Sequence, residues 1–163
     1  MIHDFVGIAR AIIGLSSLKV ISFGPRPLNF LACNAPIKQF YNLGVEVEEN
    51  SELDLFEAFH KHAEDPRIPE VVADMEKELG DGNNKPQILP KLAQYELTLL
   101  DLVEAHKGAC EYVVLSTKCW PAFQTQFGFV PCYVISRLAG KGIPVSCEVD
   151  LYGALSEYIG QCI

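Results

Sequence analysis

Three short clusters of polar and aromatic residues each follow an apolar run, and they hold the side chains best suited to chemistry. Gly24-Pro25-Arg26-Pro27 follows the first run, Thr117-Lys118-Cys119-Trp120-Pro121 the second and Glu148-Val149-Asp150 the third. Ligands of an open parallel sheet bind outside the carboxyl ends of its strands. If the apolar runs are parallel strands, these clusters are the first candidates for a binding site.

The third cluster contains two carboxylates. Glu148 and Asp150 lie two residues apart, so at the end of a strand their side chains could face the same side. Asp150 precedes a predicted helix, where an aspartate caps free backbone N–H groups. Glu148 has no such local explanation, so it is a candidate catalytic carboxylate, and the alternative is a solvated strand end.

Lys118 and Trp120 are candidates for substrate binding in the second cluster. The ammonium of Lys118 would stabilise a sugar oxygen or an enediolate, although a lysine after a strand is also common on solvated surface. Trp120, with Phe123 and Phe127, would form a platform for a sugar or a contact between domains, and core packing is the favoured alternative. Cys119 offers a thiol nucleophile, but no spaced Ser, Cys and His triad accompanies it.

The histidines and cysteines do not match a known metal motif. His60 and His62 diverge around a predicted helix, so they cannot share a metal, and we expect both on the surface. His106 lies on the apolar stripe of a long helix, which favours a satisfied core histidine or a cation at the helix C-terminus. The sequence has no C-x-x-C and no H-E-x-x-H, which argues against zinc.

Hydrophobic periodicity predicts the elements that position these clusters. Strands are predicted at residues 18–24, 45–47, 112–116 and 143–147, helices at about 32–41, 53–62, 68–79, 90–106 and 131–139, a leading helix in residues 1–17 and a last helix from about residue 150. Ser51 and Asp54 resemble a capping box. Strands that alternate with helices predict a flavodoxin-like three-layer α/β/α domain with a mainly parallel sheet.

Composition excludes some classes of function. The chain has a net charge of -8 with only 13 Lys and Arg residues, so it lacks a basic stripe for nucleic acid. The apolar stretch near the N-terminus is broken by Asp4, Arg10 and Gly14, and we expect neither a signal peptide nor a membrane span. Six cysteines lie in or beside apolar runs, which favours reduced thiols in a cytoplasmic protein.

Longer segments of the chain carry a family resemblance. The first runs Thr117-Lys118-Cys119-Trp120-Pro121-Ala122-Phe123-Gln124-Thr125-Gln126-Phe127-Gly128 and continues at Val130-Pro131-Cys132, and the second runs Cys147-Glu148-Val149-Asp150-Leu151-Tyr152-Gly153-Ala154-Leu155. In order and spacing they resemble the L-fucose isomerase-like and L-arabinose isomerase family. The upstream segment Phe23-Gly24-Pro25-Arg26-Pro27 is similar to the start of that family's middle domain.

The resemblance implies roles for the candidate residues. The family's matching glutamate is a manganese ligand and a proton-transfer carboxylate, which implies both roles for Glu148. Arg26, Lys118 and Trp120 would bind a free pentose or deoxyhexose, which isomerises through a cis-enediol. Mn²⁺ would polarise the sugar oxygens and stabilise the enediolate. The family's trimers and hexamers imply a homo-oligomer with sites at subunit interfaces.

The resemblance also implies that more chain is needed for activity. Family members have domains before and after this one, so residues 1–163 are expected to be a single middle domain, with the second carboxylate and the metal-binding histidines beyond Ile163. We expect the isolated chain to fold without isomerising sugars or holding manganese tightly. The alternatives are a non-catalytic sugar-binding module and an oligomerisation module, and an exposed apolar patch on residues 120–129 would support the oligomerisation module.

Overall fold

Alternating helices and strands follow the chain from end to end in a computed structural model, which describes residues 2–121 and 123–163. The helices in these residues are α1 (Ile2–Leu15), α2 (Lys38–Asn42), α3 (Glu52–Lys61), α4 (Ile68–Leu79), α5 (Leu89–His106), α6 (Cys132–Gly140) and α7 (Leu151–Cys162). The strands are β1 (Leu18–Gly24), β2 (Glu46–Ser51), β3 (Tyr112–Ser116) and β4 (Val145–Ser146). None of the described helices combines the length and the apolarity that crossing a membrane requires.

The four strands form one parallel sheet in the order β2-β1-β3-β4. Val20 of β1 pairs with Val47 on one side and with Val114 on the other. Because successive side chains of a strand point to opposite faces, Val20 packs in one core cluster with α7, and Ile21 packs in the other with α5. The sheet therefore has helices on both faces, which confirms the predicted three-layer α/β/α fold.

The strand order places a crevice at one edge of the sheet. β1 and β3 are neighbours, and the chain leaves β1 towards β2 on one side and leaves β3 towards β4 on the other. Ligands of doubly wound folds bind at such a switch point, outside the carboxyl ends of the strands. All three sequence clusters begin at these strand ends.

Some element bounds differ from the prediction for physical reasons. The helix expected over residues 32–41 is limited to α2, which begins only after Pro36. β2 is longer than residues 45–47, because it is an edge strand whose polar, largely exposed residues carry little apolar signal. The last strand is confined to Val145–Ser146.

Both predicted helix caps are confirmed. Ser51 and Asp54 form a capping box at the start of α3, and the backbone N–H of Ser51 donates to Asp54 Oδ2 over 2.8 Å. Asp150 caps α7 by accepting a 2.9 Å hydrogen bond from the backbone N–H of Gly153. Ser51 is the last residue of β2 and Asp150 lies four residues after β4, so both caps fix how a helix begins at the carboxyl edge of the sheet.

The structure corrects one histidine prediction. His60 is exposed as expected, but His62 is half-buried, and its Nε2 lies 2.9 Å from Asp101 Oδ2. The expectation that His62 is a surface residue was wrong, because α3 packs its last turn against α5. His106 is half-buried and is paired with Glu48 of β2.

Candidate functional site

An open cleft of about 800 Å³ lies along the carboxyl edge of the sheet. The ends of β1 and β2, the loop after β1 and the start of α7 line it, through Ser22, Gly24, Pro25, Arg26, Leu28, Cys33, Asn34, Ala35, Glu49, Asn50, Ser51, Val149 and Leu151. A smaller cleft of about 360 Å³ beside it is lined by Glu52 and Phe56, among others. The volume of the larger cleft exceeds what a monosaccharide needs.

Glu148 is held in an unusual backbone conformation. Its φ angle is +60° and that of Val149 is +56°, in the left-handed region that residues with a Cβ seldom occupy. Tertiary contacts hold this turn: the N–H of Val149 donates to the carbonyl of Thr117 over 2.9 Å, and the Val149 side chain is buried against Gly24. Strain of this kind costs about 1–3 kcal/mol per residue and occurs where surrounding structure imposes it, often at functional sites.

The carboxylate of Glu148 is only partly satisfied. Its Oε1 accepts hydrogen bonds from Cys119 Sγ at 3.0 Å and from Cys147 Sγ at 3.4 Å. Its Oε2 is buried and has no hydrogen-bond partner among the described residues. A buried acceptor without a partner costs about 1–3 kcal/mol, so natural proteins rarely keep one without a reason.

The two thiols beside Glu148 are proton donors and weak nucleophiles. Burial raises the pKa of Cys119 above its ordinary value, and hydrogen bonds to Glu148 and Cys147 add to the effect. Burial also raises the pKa of Cys147. Because the thiolate is the reactive form, a raised pKa argues against the thiol nucleophile considered for Cys119. All six cysteines are free, in agreement with the reduced state expected from the sequence.

Lys118 is buried, so the solvated-surface alternative for this residue was wrong. Its Nζ lies 2.6 Å from Glu52 Oε2, the side chain is 10% exposed, and it does not line the 800 Å³ cleft. Glu52 is the first residue of α3, where the helix dipole favours a carboxylate, and its Oε1 is buried with no hydrogen-bond partner in the part of the chain that the structure describes. The sequence did not single out Glu52, because a glutamate in the first turn of a helix is ordinary.

Arg26 and Trp120 lie at the rim of the same edge. Arg26 lines the 800 Å³ cleft, and its Nη1 donates to the carbonyl oxygens of Pro27 at 3.1 Å and Leu28 at 3.0 Å. Trp120 is 48% exposed, and its ring centroid is 6.5 Å from that of Phe30. The structure therefore brings the clusters after β1 and β3 together through Trp120 and Phe30.

The aromatic residues after Trp120 belong to the core. Phe123, Phe127 and Phe129 are all buried, and the rings of Phe123 and Phe127 stack with centroids 4.1 Å apart. This confirms core packing for Phe123 and Phe127. The exposed apolar patch considered for residues 120–129 reduces to Trp120, with Ala122 of that segment outside the described residues.

The donors around Glu148 test the expected manganese site. Cys119, Cys147 and Glu148 have ligating atoms that all lie within 4.8 Å of one another. Manganese prefers carboxylate, carbonyl and water oxygens, so only the carboxylate of this set suits it. The unpartnered Oε2 fits one ligand position for Mn²⁺, and the other ligands would have to come from outside this group.

Comparisons with known proteins place these features in context. No protein-family model matches the chain. The chain is similar to sulfoquinovose isomerases. It is 27% identical over 157 residues to the enzyme of Priestia megaterium, an alignment that covers 94% of this chain and 34% of the relative. It is 30% identical over 177 residues to the enzyme of Clostridium sp. (98% of this chain, 35% of the relative) and 25% identical over 149 residues to that of Alkalicoccus urumqiensis (89% of this chain, 32% of the relative). The chain spans about a third of the length of these curated relatives. Membership of the L-fucose isomerase-like family stays a prediction, whereas the similarity to sugar isomerases extends over most of the chain.

Proposed function

We propose that this chain is the domain of a metal-dependent aldose–ketose isomerase that supplies the proton-transfer carboxylate, Glu148. The observation that carries the proposal is the buried Oε2 of Glu148, which has no hydrogen-bond partner in the described part of the chain and lies at the carboxyl edge of the sheet. The similarity to sulfoquinovose isomerases supports the class of reaction. As part of a longer catalytic unit, the chain would contribute one carboxylate and one wall of the substrate cleft.

The chemistry requires a proton to move between neighbouring carbons of an open-chain sugar. A base removes the proton from carbon 2 of the aldose, a cis-enediol forms, and a proton returns to carbon 1 to give the ketose. Glu148 can hold this proton because its Oε2 accepts no hydrogen bond from the described residues. The hydrogen bonds from Cys119 and Cys147 fix Oε1, and with it the orientation of the carboxylate.

A manganese ion would supply Lewis acidity at the two sugar oxygens when bound. From this chain, Glu148 is the carboxylate that would hold it. We place the remaining oxygen and nitrogen ligands in parts of the catalytic unit beyond the described residues, on other domains or on another subunit of a homo-oligomer. The isolated chain is then expected to bind manganese weakly and to lack turnover.

The relatives favour a sulfonated deoxyhexose, the class to which sulfoquinovose belongs, as the substrate. A sulfonate is a monoanion with three acceptor oxygens, and a guanidinium recognises such a group through several N–H donors. Arg26 lines the 800 Å³ cleft, and Trp120, which is not one of its lining residues, offers a half-exposed aromatic face next to Phe30. We assign substrate binding to these two residues and a supporting role to Lys118.

A contact role for the opposite end of the domain is compatible with this function. Phe5, Ile12 and Ile13 of α1 are 69%, 63% and 71% exposed. Apolar groups gathered on one helix mark an interaction surface more often than free surface. This surface favours assembly with other domains or subunits, as the oligomerisation alternative requires, and it leaves the cleft open.

The test is calorimetric titration of Mn²⁺ into the whole polypeptide that carries these residues, with Glu148→Gln and Glu70→Gln as the variants. Glu70 is an exposed carboxylate on α4, far along the chain from the strand ends. We expect Glu148→Gln to weaken manganese binding more than about tenfold and Glu70→Gln to leave it unchanged. Equal affinities in the wild type and in Glu148→Gln would remove Glu148 from the metal site and favour a non-catalytic binding module.

A further inference from the structure

Two cysteines that are distant in sequence meet at Glu148. Cys119 follows β3 and Cys147 follows β4, and these strands are neighbours in the sheet. Their Sγ atoms and a carboxylate oxygen of Glu148 all lie within 4.8 Å of one another. We propose that Cys119, Cys147 and Glu148 form a binding site for a thiophilic divalent cation such as Zn²⁺.

The spacing of the three groups suits a tetrahedral ion. With zinc bonds of about 2.3 Å to sulfur and about 2.1 Å to oxygen, a tetrahedral site separates sulfur and oxygen ligands by about 3.6 Å. Cys119 Sγ and Cys147 Sγ lie 3.0 Å and 3.4 Å from Glu148 Oε1. The separations would need to widen by about 0.6 Å for Cys119 and by about 0.2 Å for Cys147, changes that rotation of the side chains can supply.

The unsatisfied carboxylate of Glu148 is a second observation that favours a bound cation at this site. Glu148 Oε2 is buried and finds no hydrogen-bond partner within residues 2–121 and 123–163, and the strained turn at Glu148 and Val149 keeps the carboxylate beside the two sulfurs. A cation bound here would satisfy the carboxylate and use both sulfurs. The fourth tetrahedral position is left for water, as in open zinc sites with three protein ligands.

Binding is a displacement of protons by the metal. The two thiols release two protons to solvent, two Zn–S bonds and one Zn–O bond form, and no group is oxidised or reduced. Zn²⁺ with two thiolates and one carboxylate has a net charge of about −1. Thiolate ligands select Zn²⁺ over Mn²⁺, so this donor set prefers a different ion from the one in the proposed isomerase site.

The site does not depend on the proposed function, because it is built from three residues of this chain. The sequence has no zinc motif with closely spaced ligands. The two cysteines come together because they follow β3 and β4, which are neighbouring strands in the sheet. Only the effect of zinc on turnover rests on the proposed function. If Glu148 transfers the proton, zinc bound to its carboxylate stops turnover. A thiophilic ion would then inhibit the enzyme at its own carboxylate.

The first experiment uses Co²⁺ as a spectroscopic substitute for zinc. We expect one equivalent of Co²⁺ to produce thiolate-to-cobalt charge-transfer absorption with the 163-residue chain, and one equivalent of Zn²⁺ to abolish it. Cys119→Ser and Cys147→Ser should each weaken binding more than about tenfold. Cys132→Ser, at an exposed cysteine on α6, is the matched control and should leave the spectrum unchanged. Absence of charge-transfer absorption, or its persistence in the Cys119→Ser/Cys147→Ser double variant, would overturn the site.

The second experiment needs no variant, so it holds even if a substitution impairs folding. The wild-type chain is alkylated with a maleimide in the presence and absence of Zn²⁺, and the modified cysteines are located by mass spectrometry. Zinc should slow modification of Cys119 and Cys147 and leave Cys132 unaffected. Equal protection of all three cysteines, or of none, contradicts the proposal. Both readouts follow the metal and not turnover, so they separate this inference from failure of the isomerase proposal.

Discussion

Replacing Lys118 by methionine should destabilise the domain through the carboxylate it leaves behind. Lys118→Met removes the ammonium and keeps an unbranched side chain of similar length. In the wild type, Nζ of Lys118 lies 2.6 Å from Glu52 Oε2, while Glu52 Oε1 has no hydrogen-bond partner among the residues that the structure describes. The substitution therefore leaves a partly buried carboxylate without an opposite charge in contact with it.

The burial of this pair sets the expected magnitude. Breaking a buried ion pair costs about 3–5 kcal/mol, whereas an exposed pair contributes about 0–1 kcal/mol. The side chain of Lys118 is 10% exposed and that of Glu52 is 27% exposed, so the pair lies nearer to the buried limit. Allowing for the solvent that reaches Glu52, we expect the free energy of unfolding to fall by about 2–3 kcal/mol.

Urea unfolding at neutral pH, followed by circular dichroism, measures this loss. The matched control is Lys107→Met, because Lys107 pairs with Glu104 at 2.7 Å but the side chains are 41% and 68% exposed. The control should lose less than about 1 kcal/mol. Adding Glu52→Gln to Lys118→Met should recover part of the loss. Equal losses for Lys118→Met and Lys107→Met would refute the structural role and return Lys118 to the candidates for direct substrate contact.

Further predictions concern a close packing contact and a shifted ionisation. Gly14→Ala should destabilise the domain by about 1–3 kcal/mol, because the new Cβ would lie 1.8 Å from Tyr158 Oη. Gly160→Ala, which has open space around it in α7, should stabilise the domain by about 0.5–1 kcal/mol. Thermal melting of both variants measures these changes, and equal shifts in melting temperature would contradict the prediction. Hydrogen bonds from Arg67 lower the pKa of Asp65 from 3.8 to about 2. A lowered pKa gives stability that is present above about pH 4 and lost as the pH falls through 2, so Asp65→Asn should flatten the pH dependence of unfolding in that range, and an unchanged slope would exclude Asp65 as its source.

The sequence predicted the buried strands well and the edge strand poorly. The bounds of β1 and β3 match the prediction residue for residue, since both are mainly apolar, buried runs with helices on each face of the sheet. Among the described strands β2 pairs with β1 alone, and none of its six Glu-rich residues is fully buried, so it lacks the apolar signal that marks a strand. Only the pairing of its backbone with β1 defines its length.

The candidate site was predictable in its position and not in its contacts. Glu148 was singled out because it follows a strand and has no local role, and the structure places it at the expected edge. Its contact with Cys119 depends on a left-handed turn at Glu148 and Val149. Local propensity disfavours this turn, and the packing of Val149 against Gly24 holds it in place. Lys118 follows β3 and Glu52 follows β2, so their ion pair joins residues that are distant in sequence and cannot be predicted from a local pattern.

The most direct test of the central claim is exchange of the sugar's carbon-2 proton with solvent. Sulfoquinovose in D₂O is incubated with Mn²⁺ and the whole polypeptide that carries these residues, and proton NMR follows formation of the ketose and incorporation of deuterium at its carbon 1. We predict exchange in the wild type and in Glu70→Gln, slowed by about 100-fold or more in Glu148→Gln, since general acid–base catalysis contributes at least that much. Isomerisation and deuterium incorporation at the wild-type rate in Glu148→Gln would contradict proton transfer by Glu148.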